Sequence, residues 1–293
     1  MRVWALAAAS ILVACSGSMA GSSGRAAART SVAPAPTRVS VDDALGRAQD
    51  EGAVVLRLTV ARQHPLGARL VPFVLAWPGW GATLSSLTHE PLTDLDWIAI
   101  VGPKDPARER LLTRTAAPDE AIDVRLQGRS DGSLRLVERV QPHLVAALPP
   151  DAAPVAQALR TARLLEPDDP DPDQLLRAEF LHPHGVLLYV PEETQRVVIR
   201  VDSRPGGAAE GFADLTFEDE ATATRMAARL QARAEETNNL MVRLLTRDLL
   251  GGVSFAVEGP VVKVRVPATS DQLESLATLA SAMLPPGSQS PTN

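Results

Sequence analysis

Two histidines and a glutamate form the densest group of potential metal ligands in the sequence. They are His182-Pro183-His184 and Glu179, three residues before His182. In an extended chain the two imidazoles share a face, and imidazole and carboxylate groups are typical zinc ligands. A zinc site needs at least a third well-placed ligand, and no HExxH helix motif occurs. Because Pro183 interrupts regular structure, the sequence favours a surface loop before a predicted strand at 186–190, with no metal bound.

The sequence contains no complete motif for a catalytic nucleophile or a phosphate-binding loop. Gly128-Arg129-Ser130-Asp131-Gly132 matches Gly-x-Ser-x-Gly, but a predicted strand follows it, whereas a nucleophile elbow opens a helix, and no Ser-x-x-Lys occurs. The glycine pairs of Gly79-Trp80-Gly81 and Gly206-Gly207 lack the Lys-Ser/Thr of a phosphate loop. We therefore predict no catalytic residue and no cofactor, and we expect a protein that is not an enzyme.

Acidic and aromatic side chains also favour structural interpretations. The segment Asp168-Asp169-Pro170-Asp171-Pro172-Asp173 resembles the start of a calcium loop, but Gln174 and Phe180 stand where glycine and glutamate are required. The prolines predict an extended linker instead. Adjacent carboxylates at 192–193 and 235–236 do not face each other across a cleft, so they predict solvated surfaces. Among the tryptophans, Trp97 lies in an apolar predicted strand, which favours a core position over a sugar-stacking platform.

The first fifteen residues have the layout of an export signal. Arg2 supplies a positive charge, and an apolar run at 3–13 is broken only by Ser10. This run is shorter than the roughly 20 residues of a transmembrane helix. It ends in Leu12-Val13-Ala14-Cys15, and Cys15 is the only cysteine. The alternative is an ordinary signal that is cut after Ala20, with Cys15 lost.

The tetrapeptide that ends in Cys15 resembles the lipobox of bacterial lipoproteins. This resemblance implies that the signal at 1–14 is removed, that the Cys15 thiol receives a diacylglyceryl group, and that the new amine is acylated, for example with palmitate. Ser16 resembles the residue that favours the outer membrane in many Gram-negative lipoproteins. The expected location is therefore the cell envelope, lipid-anchored and facing the periplasm. In general layout the chain is similar to two-domain lipoproteins of GC-rich Gram-negative bacteria.

Composition narrows the range of partners. The net charge is −6, and Lys104 and Lys263 are the only lysines. Arginines are interspersed with acidic residues, which disfavours binding to nucleic acid. One cysteine allows no disulfide inside the fold, and aromatic residues make up 3% of the chain, so the core must consist of aliphatic side chains.

Hydrophobic periodicity predicts an α+β fold with two subdomains, each a mostly antiparallel sheet packed by helices. A strand-strand-helix-strand-strand-helix pattern occurs twice, with strands at 95–101, 110–115, 134–139 and 144–148 and then at 197–201, 211–217, 253–257 and 261–266. The helices are predicted at 118–127, 153–164, 219–250 and 271–284, with a weak point at Asn238-Asn239. Ahead of the repeat we predict a strand at 53–60. The domain boundaries follow as a tether at 15–40, domains at 41–166 and 174–284, a linker at 167–173 and a disordered tail at 285–293.

Three functions remain open at this point. The first is a non-enzymatic binding or structural role toward an envelope protein or glycan, with the membrane engaged through the lipid anchor. The second is a metal-dependent envelope hydrolase that uses His182, His184 and Glu179. The third is a carrier of a small apolar ligand such as a lipid, which would need a large apolar cavity.

Overall fold

The computed structural model describes residues 52–65, 67, 84, 91–102, 108–115, 125–128, 134–161, 172–183 and 190–281. The fold is α+β, as the periodicity predicted. Within these ranges, eleven strands form one antiparallel sheet in the order β10-β11-β9-β8-β7-β1-β2-β3-β6-β5-β4. No helix in these ranges is long and apolar enough to span a membrane.

The elements have the following bounds. The strands are β1 (Ala53–Arg57), β2 (Leu95–Val101), β3 (Arg110–Thr115), β4 (Arg125–Gly128), β5 (Leu134–Gln141), β6 (Leu144–Leu148), β7 (Gln174–Leu181), β8 (Arg196–Arg204), β9 (Ala208–Thr216), β10 (Ser254–Glu258) and β11 (Val261–Ala268). The α-helices are α1 (Leu58–Gln63), α2 (Pro91–Asp94), α3 (Ala153–Thr161), α4 (Glu220–Thr237), α5 (Leu240–Thr246) and α6 (Ser270–Ser281). Short 3₁₀ turns occupy Pro205–Gly207 and Leu249–Gly252.

The repeat predicted from the sequence has a counterpart in the strand order. In the first half the order is β1-β2-β3-β6-β5-β4, and in the second half it is β7-β8-β9-β11-β10, so β4 is an additional edge strand of the first half. In both halves, the strand that comes last in the chain lies between two earlier ones: β6 lies between β3 and β5, and β11 lies between β9 and β10. The halves meet where β1 pairs with β7, with Ala53 opposite Glu179 and Leu56 opposite Leu176. Backbone hydrogen bonding is thus continuous between the two predicted subdomains.

Each face of the sheet has its own core. On one face, a cluster that extends through both halves includes Ile100 of β2, Val197 of β8 and Met226 of α4. On the opposite face, a second cluster lies in the first half, where Leu159 of α3 joins Trp97 and Leu112. Trp97 is therefore a core residue, as predicted.

Three predicted elements differ from the structure. β1 ends at Arg57, and the alternating residues that follow, Leu58 and Val60, are buried in the short helix α1. Residues 125–128 form strand β4 rather than the end of a helix, because they pair with β5. Strand β7 was not predicted at all, although Leu176, Ala178 and Phe180 are buried. The sequence also predicts a short helix at 41–50, which lies outside the described residues, as do residues 167–171 of the predicted linker at 167–173 and residues 186–189 of the predicted strand at 186–190.

The predicted long helix breaks at its weak point. α4 begins after Asp219, whose side chain accepts a hydrogen bond from the Thr222 amide, and it ends at Thr237. Asn239 then caps α5 by accepting from the Val242 amide at 3.2 Å. Asparagine side chains compete for backbone amides in this way, so they favour helix ends over helix interiors.

Candidate binding face

Of the three residues weighed as metal ligands, Glu179 and His182 lie within the described residues. Glu179 is buried, and its Oε1 accepts from Nε of Arg196 at 2.9 Å, with Nη2 of Arg177 3.7 Å from Oε2. His182 is exposed in a left-handed turn after β7, with φ 47°, and His184 lies outside the described residues. Within the described ranges, no three His, Cys, Asp or Glu residues are placed to hold a metal ion. The Glu179 carboxylate instead has Arg196 and Arg177 as partners.

The structure also describes two other histidines and the pairs of adjacent carboxylates. His64 is buried, with its Nε2 3.2 Å from the carbonyl oxygen of Ala208, and His143 is exposed in the turn between β5 and β6. The carboxylates at 192–193 and 235–236 are exposed. Cys15 and residues 168–171 lie outside the described residues, so the structure does not test their predicted roles, and His89, Trp77 and Trp80 lie outside them too.

The most distinctive polar surface is on the second half of the sheet. In β8, β9 and β11 the residues that join the α4 core, such as Ile199, Ala213 and Val264, alternate with charged residues. Because neighbours along a strand point to opposite faces, the charged residues lie on the face away from α4. We call this surface the charged face; it comprises Arg177, Glu179, Arg196, Arg200, Asp202, Arg204, Glu210, Phe212, Asp214, Lys263 and Arg265.

A buried carboxylate organises one end of the charged face. Glu210 Oε2 is 2.8 Å from Nη2 of Arg204, and its Oε1 accepts from Nε of Arg265. Arg204 also reaches Asp202 at 3.3 Å. Burial alone would raise the pKa of Glu210, but the hydrogen bonds from Arg265 and Arg204 outweigh this effect and hold its pKa below the ordinary value. Glu210 therefore remains ionised and fixes two guanidinium groups.

A row of cationic and aromatic side chains crosses the middle of the charged face. Arg177, Arg200, Phe212 and Arg265 are direct neighbours across β7, β8, β9 and β11. The guanidinium carbon of Arg200 lies 5.3 Å from the centroid of the Phe212 ring, which is cation–π geometry. Among the residues that the structure describes, Arg200 forms no ion pair. Phe212 is half-buried beneath the Arg200 guanidinium group. Together the two side chains offer a partner an apolar surface and a positive charge that can pair with a carboxylate.

Lys263 adds a cation on the side of the charged face that lies next to β10. Lys263 of β11 pairs with Glu258 of β10, and this hydrogen bond raises the pKa of the Lys263 ammonium. Lys263 also stands directly opposite Asp214 on β9. The Arg265 side chain is 61% exposed and that of Arg196 is 46% exposed, so cations of the charged face are accessible to a partner. Such an arrangement suits recognition of a surface with complementary charges.

Sequence reasoning missed this surface, although a signal was present. β8 and β11 alternate aliphatic residues with arginine or lysine, as in Val197, Ile199 and Val201 against Arg196 and Arg200. This alternation predicts one buried and one polar face. It does not predict which strands become neighbours, and the row exists only through that pairing.

The chain is thus an α+β protein with one charged sheet face. No family model matches the sequence, and no curated protein matches it. Crystal form I of TP0453 is similar, with 10% identity over 81% of this chain and 96% of that chain and a TM-score of 0.46. Crystal form III of TP0453 has 9% identity, covers 82% of this chain and 97% of that chain, and has a TM-score of 0.42. Likeness at this level does not assign a function.

Proposed function

We propose that this protein is a lipid-anchored component of the cell envelope whose body binds another envelope protein without catalysing a reaction. The lipid anchor would be carried by Cys15, and the outer membrane, with the body facing the periplasm, is the proposed location. The observation that supports a binding role is the charged face, in particular Arg200 above Phe212 in the middle of the arginine row.

The chemistry of this face favours a protein partner over a glycan. Cations and carboxylates are interspersed, and Glu179 and Glu210 are each held by two arginines. A surface with fixed charges of both signs selects a partner with the reciprocal pattern, because like-charge contacts penalise other arrangements. Arginine and aromatic residues are also enriched where protein interfaces have their strongest contacts.

Native mass spectrometry of the protein gently extracted from its own envelope tests both parts of this proposal. We expect acyl mass on Cys15 and the added mass of a protein partner. In parallel, Cys15→Ser should move the protein from the membrane to the soluble fraction. Full membrane retention of Cys15→Ser would contradict the anchor.

A matched pair of charge reversals tests the binding face. Arg200→Glu should reduce partner recovery by at least about tenfold, because it replaces the central cation with a repelling charge. Arg229→Glu, an exposed position on α4 away from this face, makes the same change in net charge and should leave recovery unchanged. Equal recovery with both variants, or no partner with the wild type, would refute the binding role.

A further inference from the structure

The short helix α5 concentrates the exposed large apolar side chains of the described chain. Five such side chains are exposed, and four lie in this helix: Leu240 (74%), Met241 (66%), Leu244 (70%) and Leu245 (44%). Isolated exposed apolar residues are common on soluble proteins, whereas a cluster of this kind marks an interaction surface. The fifth, Leu134, lies in the other half of the sheet.

These four residues form one face of the helix. At about 100° per residue, positions 240, 241, 244 and 245 fall within an arc of about 140°. The buried residue Val242 (3% exposed) points away from that arc and holds α5 to the protein. We call the exposed side the α5 apolar face.

Polar contacts hold this helix in place. The Asp248 carboxylate accepts from Nε of Arg243 at 3.1 Å and from Nδ2 of Asn238 at 3.2 Å. Arg247 pairs with Asp271 of α6 at 2.9 Å, and Gln272 donates to the Arg247 carbonyl oxygen at 2.9 Å. The two arginines beside the α5 apolar face therefore have local carboxylate partners. Attraction to this face must come mainly from its apolar area.

We propose that the α5 apolar face docks into the interfacial region of a lipid bilayer. This inference rests on the proposed lipid anchor in one respect: residues 16–51 connect Cys15 to Gly52, where the described sheet begins. This short connection would limit how far the body can lie from the membrane surface. An amphipathic helix lying in the interface plane buries its apolar side chains among the acyl chains.

A bilayer fits this surface better than a protein partner does. Four side chains offer a few hundred Å², whereas a standard protein interface buries roughly 800 Å² on each partner. With the lipid anchor as a second point of attachment, even a weak contact becomes effectively intramolecular. Because the flanking arginines are paired, binding should depend little on anionic lipid or salt.

Depth measurement by spin labelling tests the proposal on the full lipidated chain. Cys15 is the only native cysteine, so once it is acylated, Leu244→Cys provides a unique labelling site. In phosphatidylcholine vesicles, the label at 244 should become several-fold more accessible to oxygen than to a water-soluble nickel complex. A label at Ala228→Cys, on the exposed side of α4, should remain in water. Water exposure of the label at 244 would overturn the proposal.

The two proposals fail in distinguishable ways. Acyl mass on Cys15 together with a water-exposed label at 244 leaves the anchor standing and refutes docking. Without acyl mass the anchor fails, and docking is then judged in a Cys15→Ser background, where the label at 244 must still enter the lipid at high vesicle concentration.

Vesicle flotation of the Cys15→Ser chain, at a vesicle concentration high enough for the chain without its anchor to bind, supplies a second test that does not use a label. Leu244→Asp should weaken binding about tenfold, which corresponds to the loss of one leucine from an apolar environment. Leu134→Asp, at the exposed leucine outside α5, should leave binding unchanged. Because both side chains are exposed, neither substitution should lower the melting temperature appreciably. Equal flotation of the two variants would contradict docking by α5.

Discussion

At the scale of single residues, the arginines of this protein are positioned by buried carboxylates. Glu179 and Glu210 are both nearly inaccessible, and each is approached by two guanidinium groups from its own or neighbouring strands. A buried carboxylate without such partners would be protonated or would destabilise the sheet. These acids therefore organise the arginines of the surface.

Glu210→Gln provides the test at this scale. We expect the free energy of unfolding at pH 7 to fall by about 1 kcal/mol, a small value because Arg265 remains largely exposed. Since the folded-state pKa of Glu210 lies below its ordinary value of 4.5, the ionised pair stabilises the protein above that pH. The contribution disappears as the pH falls through the folded-state pKa.

Denaturant titrations of both proteins at several pH values measure this difference. The gap between wild type and Glu210→Gln should be complete at neutral pH and close in acid. Glu258→Gln, at the exposed pair with Lys263, serves as the control and should show almost no gap. A gap for Glu210→Gln that persists unchanged in acid would show that the carboxylate charge is not its cause.

At the scale of elements, the break at Asn238-Asn239 divides the apolar residues of the predicted long helix into a buried group and an exposed group. The helical spacing continues through residue 250, but Asn239 ends that continuity by capping a new helix. Only the first part of the pattern, through Met226 and Ala227, contributes buried residues of α4 to the core. The second part becomes α5, whose leucines are exposed. Periodicity predicted the helical residues through Thr246, but the predicted end at 250 is wrong, because Arg247 and Asp248 have left-handed backbone. Periodicity also did not predict the side against which the helices pack.

Asn239→Ala tests this explanation of the break. Loss of the cap should cost about 1 kcal/mol of unfolding free energy, whereas Asn239→Gly should cost only a few tenths, because glycine tolerates the N-cap conformation. Equilibrium unfolding in urea measures both. Equal costs for alanine and glycine would show that the side-chain hydrogen bond to the Val242 amide is not what stabilises α5.

At the scale of the whole molecule, the β1–β7 pair joins the two halves into one sheet. Ala53 to Leu56 of β1 pair with β2 on one side and with β7 on the other. The core on the α4 face includes residues from both halves, such as Leu111 and Leu215. Hydrogen bonding and packing therefore cross the boundary at which the sequence predicts a linker.

This continuity predicts that residues 52–281 unfold in one cooperative transition. Scanning calorimetry should give a calorimetric enthalpy equal to the van't Hoff enthalpy. Ala178→Pro, in the middle of β7, should lower the melting temperature of the entire transition, because the proline removes a backbone donor from a strand that is paired on both sides. Two resolved transitions, of which only one responds to Ala178→Pro, would instead support independent domains.

The sequence by itself determined the α+β class, most strand positions and the weak point at Asn238-Asn239, where the predicted long helix breaks. These features depend on contacts between near neighbours in the chain, which local periodicity and capping chemistry report. Only the tertiary structure decided that the two halves share one sheet, that 125–128 is a strand, and that Arg177, Arg200, Phe212 and Arg265 form a row. The pairing of β1 with β7 and of β9 with β11 joins residues far apart in the chain, and pairing with β5 makes 125–128 a strand. A residue's neighbours in sequence do not specify its partner on the adjacent strand.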